Sequence, residues 1–202
     1  MRLSAQWADG LFQAALGGAV LFNPERAADP LLVASGLAVM LLPYSLLGPF
    51  AGALLDRWDR RRVLAGASVL RAVLVAAVAG ALAAGTAGSG LFALALAVTG
   101  VNRFVLSGLS AALPHAVRDR ERLVTANTVS VTAGAAASAL GAVSAVGLRA
   151  LFGSGDAGSA LTTLGATAGS LVAAAIALGF VRGGLGPDRD GAPRVGALRD
   201  VA

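Results

Sequence analysis

Long apolar runs alternate with short polar stretches along the whole chain. Six runs can be marked, over residues 3–22, 31–55, 63–84, 91–113, 125–148 and 160–181. Each is close to the roughly 20 residues that an α-helix needs to cross the hydrocarbon core of a bilayer. Backbone groups in lipid must be satisfied internally, and the strands of a membrane barrel are only about ten residues long with strict alternation. The pattern therefore predicts an all-α membrane protein, a six-transmembrane-helix bundle over residues 1–182.

The connections between the runs carry turn residues and most of the charge. Twelve of the 16 basic residues, all of them arginine, lie at the chain ends and in the even-numbered connections, while two lie in odd-numbered connections and two within runs. Positively charged loops stay on the cytoplasmic side of a membrane. We therefore predict a multi-pass protein of the inner (plasma) membrane with both termini cytoplasmic. The polar tail, residues 183–202, is predicted to be a flexible cytoplasmic linker.

Composition narrows the classes of function. Only 13% of the 202 residues are charged and 56% are hydrophobic, whereas soluble domains carry about 25% charged residues. The net charge of +5 is spread over short loops, so the predicted partner is a lipid bilayer and no nucleic acid is expected. The absence of cysteine and the single histidine argue against a metal site or cofactor, and the absence of lysine excludes a phosphate-binding ATPase loop. No enzyme activity is predicted.

The connection between the second and third runs reads Gly-Ala-Leu-Leu-Asp-Arg-Trp-Asp-Arg-Arg-Arg, from Gly52 to Arg62. It resembles the signature loop of the major facilitator superfamily (MFS), Gly-x-Leu-x-Asp-Arg-x-Gly-Arg-Arg/Lys. The matching positions are Gly52, Leu54, Asp56, Arg57, Arg60 and Arg61. Asp59 stands where the pattern has glycine. The resemblance implies a gating latch, whose charges pair differently as two helix bundles rock; the alternative is a plain cytoplasmic anchor.

Charged residues inside apolar runs are the candidates for a transport site. Arg103 lies about 18 Å along the fourth run, where a charge is costly and usually faces a cavity or a partner. Residues 102–108 resemble a weak form of the superfamily's fourth-helix arginine motif, which is tied to coupling in proton-coupled members. Asp9, about two turns inside the first run, is the predicted partner of Arg103. We interpret the pair as a coupling or substrate-cavity site; the alternative is a structural ion pair. Arg71 also lies within a run.

The fifth run is rich in small residues at helical spacing. They are Ala133, Ala137, Gly141 and Ala145, with Gly134 and Ser138 beside them. Small side chains at this spacing let helix backbones approach closely, so Gly134, Ser138 and Gly141 are predicted to form a helix-packing face. The superfamily's antiporters often carry a Gly-Pro motif on this helix. Its proline is missing here, which weakens an inference of proton antiport.

The resemblance covers nearly the whole chain, and residues 7–12 and 21–24 are also similar to actinobacterial members. It implies the N-terminal six-helix half of an MFS transporter, built from two inverted three-helix repeats. It further implies alternating-access transport of a small-molecule substrate, with proton-coupled efflux, and completion by a second six-helix half or by self-association. A permease subunit with a separate ATPase is disfavoured, because the cytoplasmic loops are about seven and nine residues long. The other alternative is a non-transporting scaffold or a truncated, nonfunctional product.

Overall fold

The computed structural model describes residues 1–21, 59–86, 88–117 and 120–180. Within these ranges the long helices are α1 (Arg2–Leu21), α2 (Arg60–Ala83), α3 (Ser89–Ala116), α4 (Leu123–Phe152) and α5 (Asp156–Gly179), with a short 3-10 turn at Arg120–Arg122. These helices overlap predicted runs one, three, four, five and six. The second run, 31–55, and the tail, 183–202, lie outside the described residues.

Four of the five helices, α2 to α5, are long and apolar enough to cross a membrane. The described residues contain helices and turns with no strand, in agreement with an all-α membrane protein. Helix α1 is not among the four, because polar side chains such as Gln6, Asp9 and Gln13 lower its mean hydropathy. A bundle of six transmembrane helices therefore stays a prediction.

The ends of the helices follow from local turn chemistry. Asp59 precedes α2, and its Oδ1 accepts a hydrogen bond from the backbone N–H of Arg61 at 3.1 Å, which is a helix N-cap. Gly85 follows the end of the same helix with a φ of +68°, and Gly153 follows the end of α4 with a φ of +93°. Residues that have a Cβ rarely adopt such values. The short turns that follow fold α2 with α3, and α4 with α5, into antiparallel hairpins.

Helix α1 lies where the two hairpins meet. It packs against α4 and α5, while α2 packs against α5 and α3. The larger apolar core contains Leu11 and Phe12 of α1, Val75 of α2 and Val98 of α3. A smaller core lies toward the start of α1. Among the polar residues of α1, Asp9 is buried by the neighbouring helices, whereas Gln6 and Gln13 are half-buried.

Candidate functional site

Asp9 lies in the middle of α1 with only 4% of its surface exposed. Its Oδ1 is 3.4 Å from Nη2 of Arg71 on α2, and its Oδ2 accepts a hydrogen bond from Nε2 of Gln13 at 2.8 Å. Gln13 is one helical turn along from Asp9, so both side chains lie on the same face of α1. Both carboxylate oxygens thus have a partner inside the bundle.

Arg71 connects three helices. It is 2% exposed, and while Nη2 faces Asp9, its Nη1 donates to Oγ of Ser170 on α5 at 2.8 Å. Ser170 in turn donates to the carbonyl of Ala166, one turn earlier on α5. We call Asp9, Gln13, Arg71 and Ser170 the Asp9 cluster. A buried charge is tolerated only when it is paired and hydrogen-bonded, and the Asp9 cluster meets that requirement for the carboxylate.

Arg103, the predicted partner of Asp9, lies half-buried on α3 and attracts the Asp9 carboxylate electrostatically. The hydrogen-bonded ion pair of Asp9, however, is made with Arg71. Arg71 lies inside an apolar run of the sequence, where no role was predicted for it. Next to Arg103, Asn102 is fully buried, and its Oδ1 and Nδ2 have no hydrogen-bond partner among the described residues. The Asp9 cluster thus joins polar side chains of α1, α2 and α5, and Arg103 of α3 attracts its carboxylate.

The predicted helix-packing residues lie where α4 crosses α1. A Cβ added at Gly141 would overlap the carbonyl oxygen of Trp7, and one added at Gly10 would overlap the carbonyl of Ser138. At Gly134 an added Cβ would lie 3.3 Å from Nε2 of Gln6. Gly134 and Gly141 are buried and Ser138 is half-buried. Glycine thus sets the distance between the two backbones.

Trp7 occupies the space between α4 and α5. Its Nε1 donates to Oγ of Ser144 at 3.2 Å, and its ring lies against Gly169, where an added Cβ would come within 2.8 Å of Cε3. This indole is therefore part of the helix packing inside the bundle.

The described part of the signature loop joins helix ends. Nη1 of Arg60 donates to the carbonyl of Ala111 near the end of α3 at 3.0 Å, and Nη1 of Arg61 donates to the carbonyl of Phe180 after α5 at 2.8 Å. Cations at the carboxyl ends of helices complement the helix dipole. Gly52, Asp56 and Arg57 lie outside the described residues, so the gating latch stays a prediction.

The opposite end of the bundle contains a mainly apolar cavity of about 380 Å³. Its lining includes Gly18 of α1, Ala145 and Arg149 of α4, and Thr162 of α5. Arg149 donates to the carbonyl of Ser154 at 3.1 Å and to Oγ of Ser159 at 3.4 Å, which ties the end of α4 to the start of α5. Across the described ranges no group of acidic, histidine or cysteine side chains is arranged to hold a metal ion.

Comparison with known proteins identifies relatives of the chain. Over 159 residues, which are 79% of this chain, it is 55% identical to a protein of Mycobacterium bovis and to one of Mycobacterium tuberculosis, each named an uncharacterized MFS-type transporter. This chain is a homologue of MFS-type transporters. The homology confirms the family resemblance predicted from the sequence. The matched part spans 36% of the length of each relative.

Comparison with protein-family models and with solved structures identifies no further relatives of this MFS-type homologue. No family model matches the chain, and no solved structure matches it. The buried pairing of Asp9 with Arg71 is therefore read from this structure alone.

Proposed function

We propose that the chain is the N-terminal six-helix half of a secondary active transporter that moves a small molecule across the plasma membrane by alternating access. The observation that carries the proposal is the Asp9 cluster, a carboxylate–guanidinium pair buried in the helix bundle of an MFS-type homologue. Ionisable groups at such depth are costly and usually mark ion or substrate pathways. Both termini are cytoplasmic in this proposal, as the arginine distribution predicts.

Coupling to protons follows from the chemistry of Asp9. A proton on its carboxylate removes the negative charge that holds Arg71 and attracts Arg103. The ion pair between α1 and α2 is then lost, so the relative stability of two helix arrangements changes with protonation. The predicted direction is efflux, as the MFS resemblance implies.

A second six-helix half completes the cavity in this proposal, supplied by the same polypeptide, by a separate chain or by a second copy. Helix α4 supports this view, because it is the least buried of the apolar helices and exposes Leu140, Val143 and Val146. In the alternative, a non-transporting scaffold, the same surface contacts only lipid. In the other alternative, a permease subunit, transport requires ATP from a partner.

Flux in sealed inside-out vesicles tests the proposal. Vesicles from cells that express the chain are acidified inside by respiration, and a panel of small molecules is added while the internal pH is followed. We expect at least one compound to change the proton gradient, and Arg103→Ala and Asp56→Asn to remove that response. Arg62→Gln, an exposed change on the same protein, is the matched control and should respond like the unaltered chain.

Each other outcome has a distinct meaning. Movement of a compound that requires ATP and ignores the proton gradient favours the permease subunit. No movement of any compound by the unaltered chain favours the scaffold. Unchanged flux in both Arg103→Ala and Asp56→Asn contradicts the assignment of those residues to transport.

A further inference from the structure

A layer of polar side chains crosses the bundle at the level where the larger apolar core meets the smaller one. On α3, Asn102 lies one turn from Val98 of the larger core and one turn from Val105 of the smaller core. Four helices contribute a buried polar residue to this layer: Asp9 of α1, Arg71 of α2, Asn102 of α3 and Ser170 of α5. Asn102 is thus the member of the layer that lies outside the Asp9 cluster.

The α2–α3 hairpin brings Arg71 and Asn102 to nearly the same depth. At a rise of 1.5 Å per residue, Arg71 lies about 18 Å and Asn102 about 20 Å from the turn that joins the two helices. Arg71 is 2% exposed and Asn102 is fully buried, and the two helices pack against each other. The two residues therefore occupy one level in the interior of the bundle.

Both residues have hydrogen-bonding groups without a partner. Within the described ranges, Oδ1 and Nδ2 of Asn102 and Nε of Arg71 make no hydrogen bond. Buried polar groups are almost always satisfied, and an unsatisfied one costs its full desolvation penalty. An amide at the level of the guanidinium is explained if it is used in a second arrangement of the same side chains.

The charge on Asp9 decides which acceptor Arg71 prefers. Nη2 of Arg71 is 3.4 Å from Oδ1 of Asp9, and hydrogen bonds between two ionised groups are stronger than those to a neutral amide. Within the described ranges, the charges that act on Asp9 are those of Arg71 on α2 and Arg103 on α3. Arginine stays protonated in proteins, so Asp9 is the member of the layer whose charge changes. A proton on Asp9 removes its advantage over Asn102.

We propose that Asn102 is the second partner of Arg71: the guanidinium pairs with Asp9 while that carboxylate is ionised, and donates to Oδ1 of Asn102 when Asp9 carries a proton. The inference rests on the proposed proton coupling and names a further residue that serves it. Asn102 is a positioning residue, because it acts on Arg71 and not on the proton or the transported molecule. The exchange moves a hydrogen bond from between α2 and α1 to between α2 and α3.

Stability of the purified chain tests the inference without the need for transport. Asn102→Leu removes the amide at similar volume, and SDS denaturation in mixed micelles measures its effect. At neutral pH the change should be neutral or slightly stabilising, because unsatisfied buried groups are replaced by apolar ones. In Asp9→Asn, whose uncharged side chain imitates the protonated carboxyl, the same change should lower the folded-to-unfolded ratio at least about tenfold, since a hydrogen bond to a charged group is lost.

Two further variants show that the effect belongs to the guanidinium. Arg71→Met combined with Asp9→Asn should abolish the loss caused by Asn102→Leu, because the donor is gone. Thr99→Val is the matched control on α3. Thr99 is buried one turn before Asn102, but its hydroxyl donates to the carbonyl of Ala95 in the same helix. Thr99→Val should therefore have the same effect with Asp9 as with Asp9→Asn.

Acidification gives a second measurement that leaves Asp9 in place. As pH falls and Asp9 takes up a proton, Asn102→Leu should change from neutral to destabilising relative to the unaltered chain. In the Asp9→Asn background its effect should not depend on pH. A purely structural amide would give the same loss at every pH.

Several outcomes overturn the inference. They are an equal effect of Asn102→Leu with Asp9 and with Asp9→Asn, a loss of stability already present at neutral pH, and a loss that persists after Arg71→Met. The pH-dependent loss without flux in vesicles contradicts the transport function and leaves the second pairing of Arg71 standing. Proton-linked flux that Asp9→Asn removes, without any dependence of the Asn102→Leu effect on Asp9, does the reverse.

Discussion

Helix α1 contacts its neighbours through two surfaces of opposite character. Toward α4, the backbones approach so closely at Gly10 and Gly141 that no side chain fits between them. Toward α2, the contact includes the buried ion pair of Asp9 with Arg71, in which Gln13 also donates to Asp9 and Arg71 also donates to Ser170 of α5. The contact with α4 depends on glycines that have no side chain, and the contact with α2 depends on the attraction between two charges.

This difference separates rigid from responsive parts of the bundle. Lipid offers little hydrophobic driving force between helices, so close packing and interhelical hydrogen bonds determine which helices stay together. The glycine contact has no group that titrates or binds a ligand, so α1 and α4 are expected to move as one body. The Asp9 cluster contains a carboxylate, and its ion pair with Arg71 would be lost if that carboxylate took up a proton. Any rearrangement within the bundle is therefore expected between α1 and α2, where Asp9 and Arg71 meet.

The largest effect on stability is expected when only one partner of the Asp9–Arg71 ion pair is removed. Arg71→Met leaves the Asp9 carboxylate buried without its hydrogen-bonded cation, which should reduce the free energy of unfolding by about 3–5 kcal/mol. Denaturation of the purified chain by SDS in mixed micelles measures this change.

A double variant is the control for that prediction. Arg71→Met combined with Asp9→Leu removes both charges and should recover most of the lost stability, because apolar replacements of a buried pair are often neutral. If the double variant were as unstable as the sum of the two single variants, the contact would be ordinary packing and the comparison with the glycine surface would fail.

The sequence predicts the helices well but leaves the choice of ion-pair partner open. Apolar runs of bilayer length identify α2 to α5, because lipid imposes that length on any helix that crosses it. Asp9 and Arg103 were recognisable as charges inside runs. The same signal existed for Arg71, yet one acid and two arginines allow two pairings, and only the packing of α2 and α5 around α1 selects Arg71. The spacing of small residues predicts a close helix contact at Gly141. It does not predict that the contact is made with the backbone carbonyl of Trp7.

A smaller loss is expected at the glycine surface. Gly141→Ala introduces a Cβ that overlaps the Trp7 carbonyl, so α1 and α4 must separate, and overpacking of this kind typically lowers stability by about 1–3 kcal/mol. Gly147→Ala is the matched control on the same helix, since nothing lies within 4 Å of the added Cβ. It should be neutral or slightly stabilising, because alanine favours helix. Equal stability of the two variants in SDS denaturation would contradict a close contact at Gly141.

The N-cap of α2 should have a moderate effect. Asp59→Ala removes the acceptor for the Arg61 backbone N–H and should lower stability by about 1 kcal/mol. Asp59→Gly, the residue of the superfamily pattern, should lower it by only a few tenths of a kcal/mol, because glycine is itself an acceptable N-cap. The difference between the two variants in SDS denaturation checks the role of the cap. Should alanine and glycine behave alike, the side-chain acceptor would contribute nothing at this helix end.

The smallest effect is expected for an arginine on α2 that differs from Arg71 chiefly in burial. Nε of Arg62 is 4.0 Å from Asp59, but the Arg62 side chain is 67% exposed. An exposed pair of this kind contributes between about 0 and 1 kcal/mol and is screened by salt. Arg62→Gln should therefore shift the unfolding midpoint only slightly, and the shift should vanish at high ionic strength. Arg71→Met should keep its full effect there, since solvent ions do not reach a side chain that is 2% exposed. If high salt weakened the effects of Arg62→Gln and Arg71→Met equally, the Asp9 cluster would be open to water. The contrast between a rigid glycine contact and an enclosed polar contact on α1 would then no longer hold.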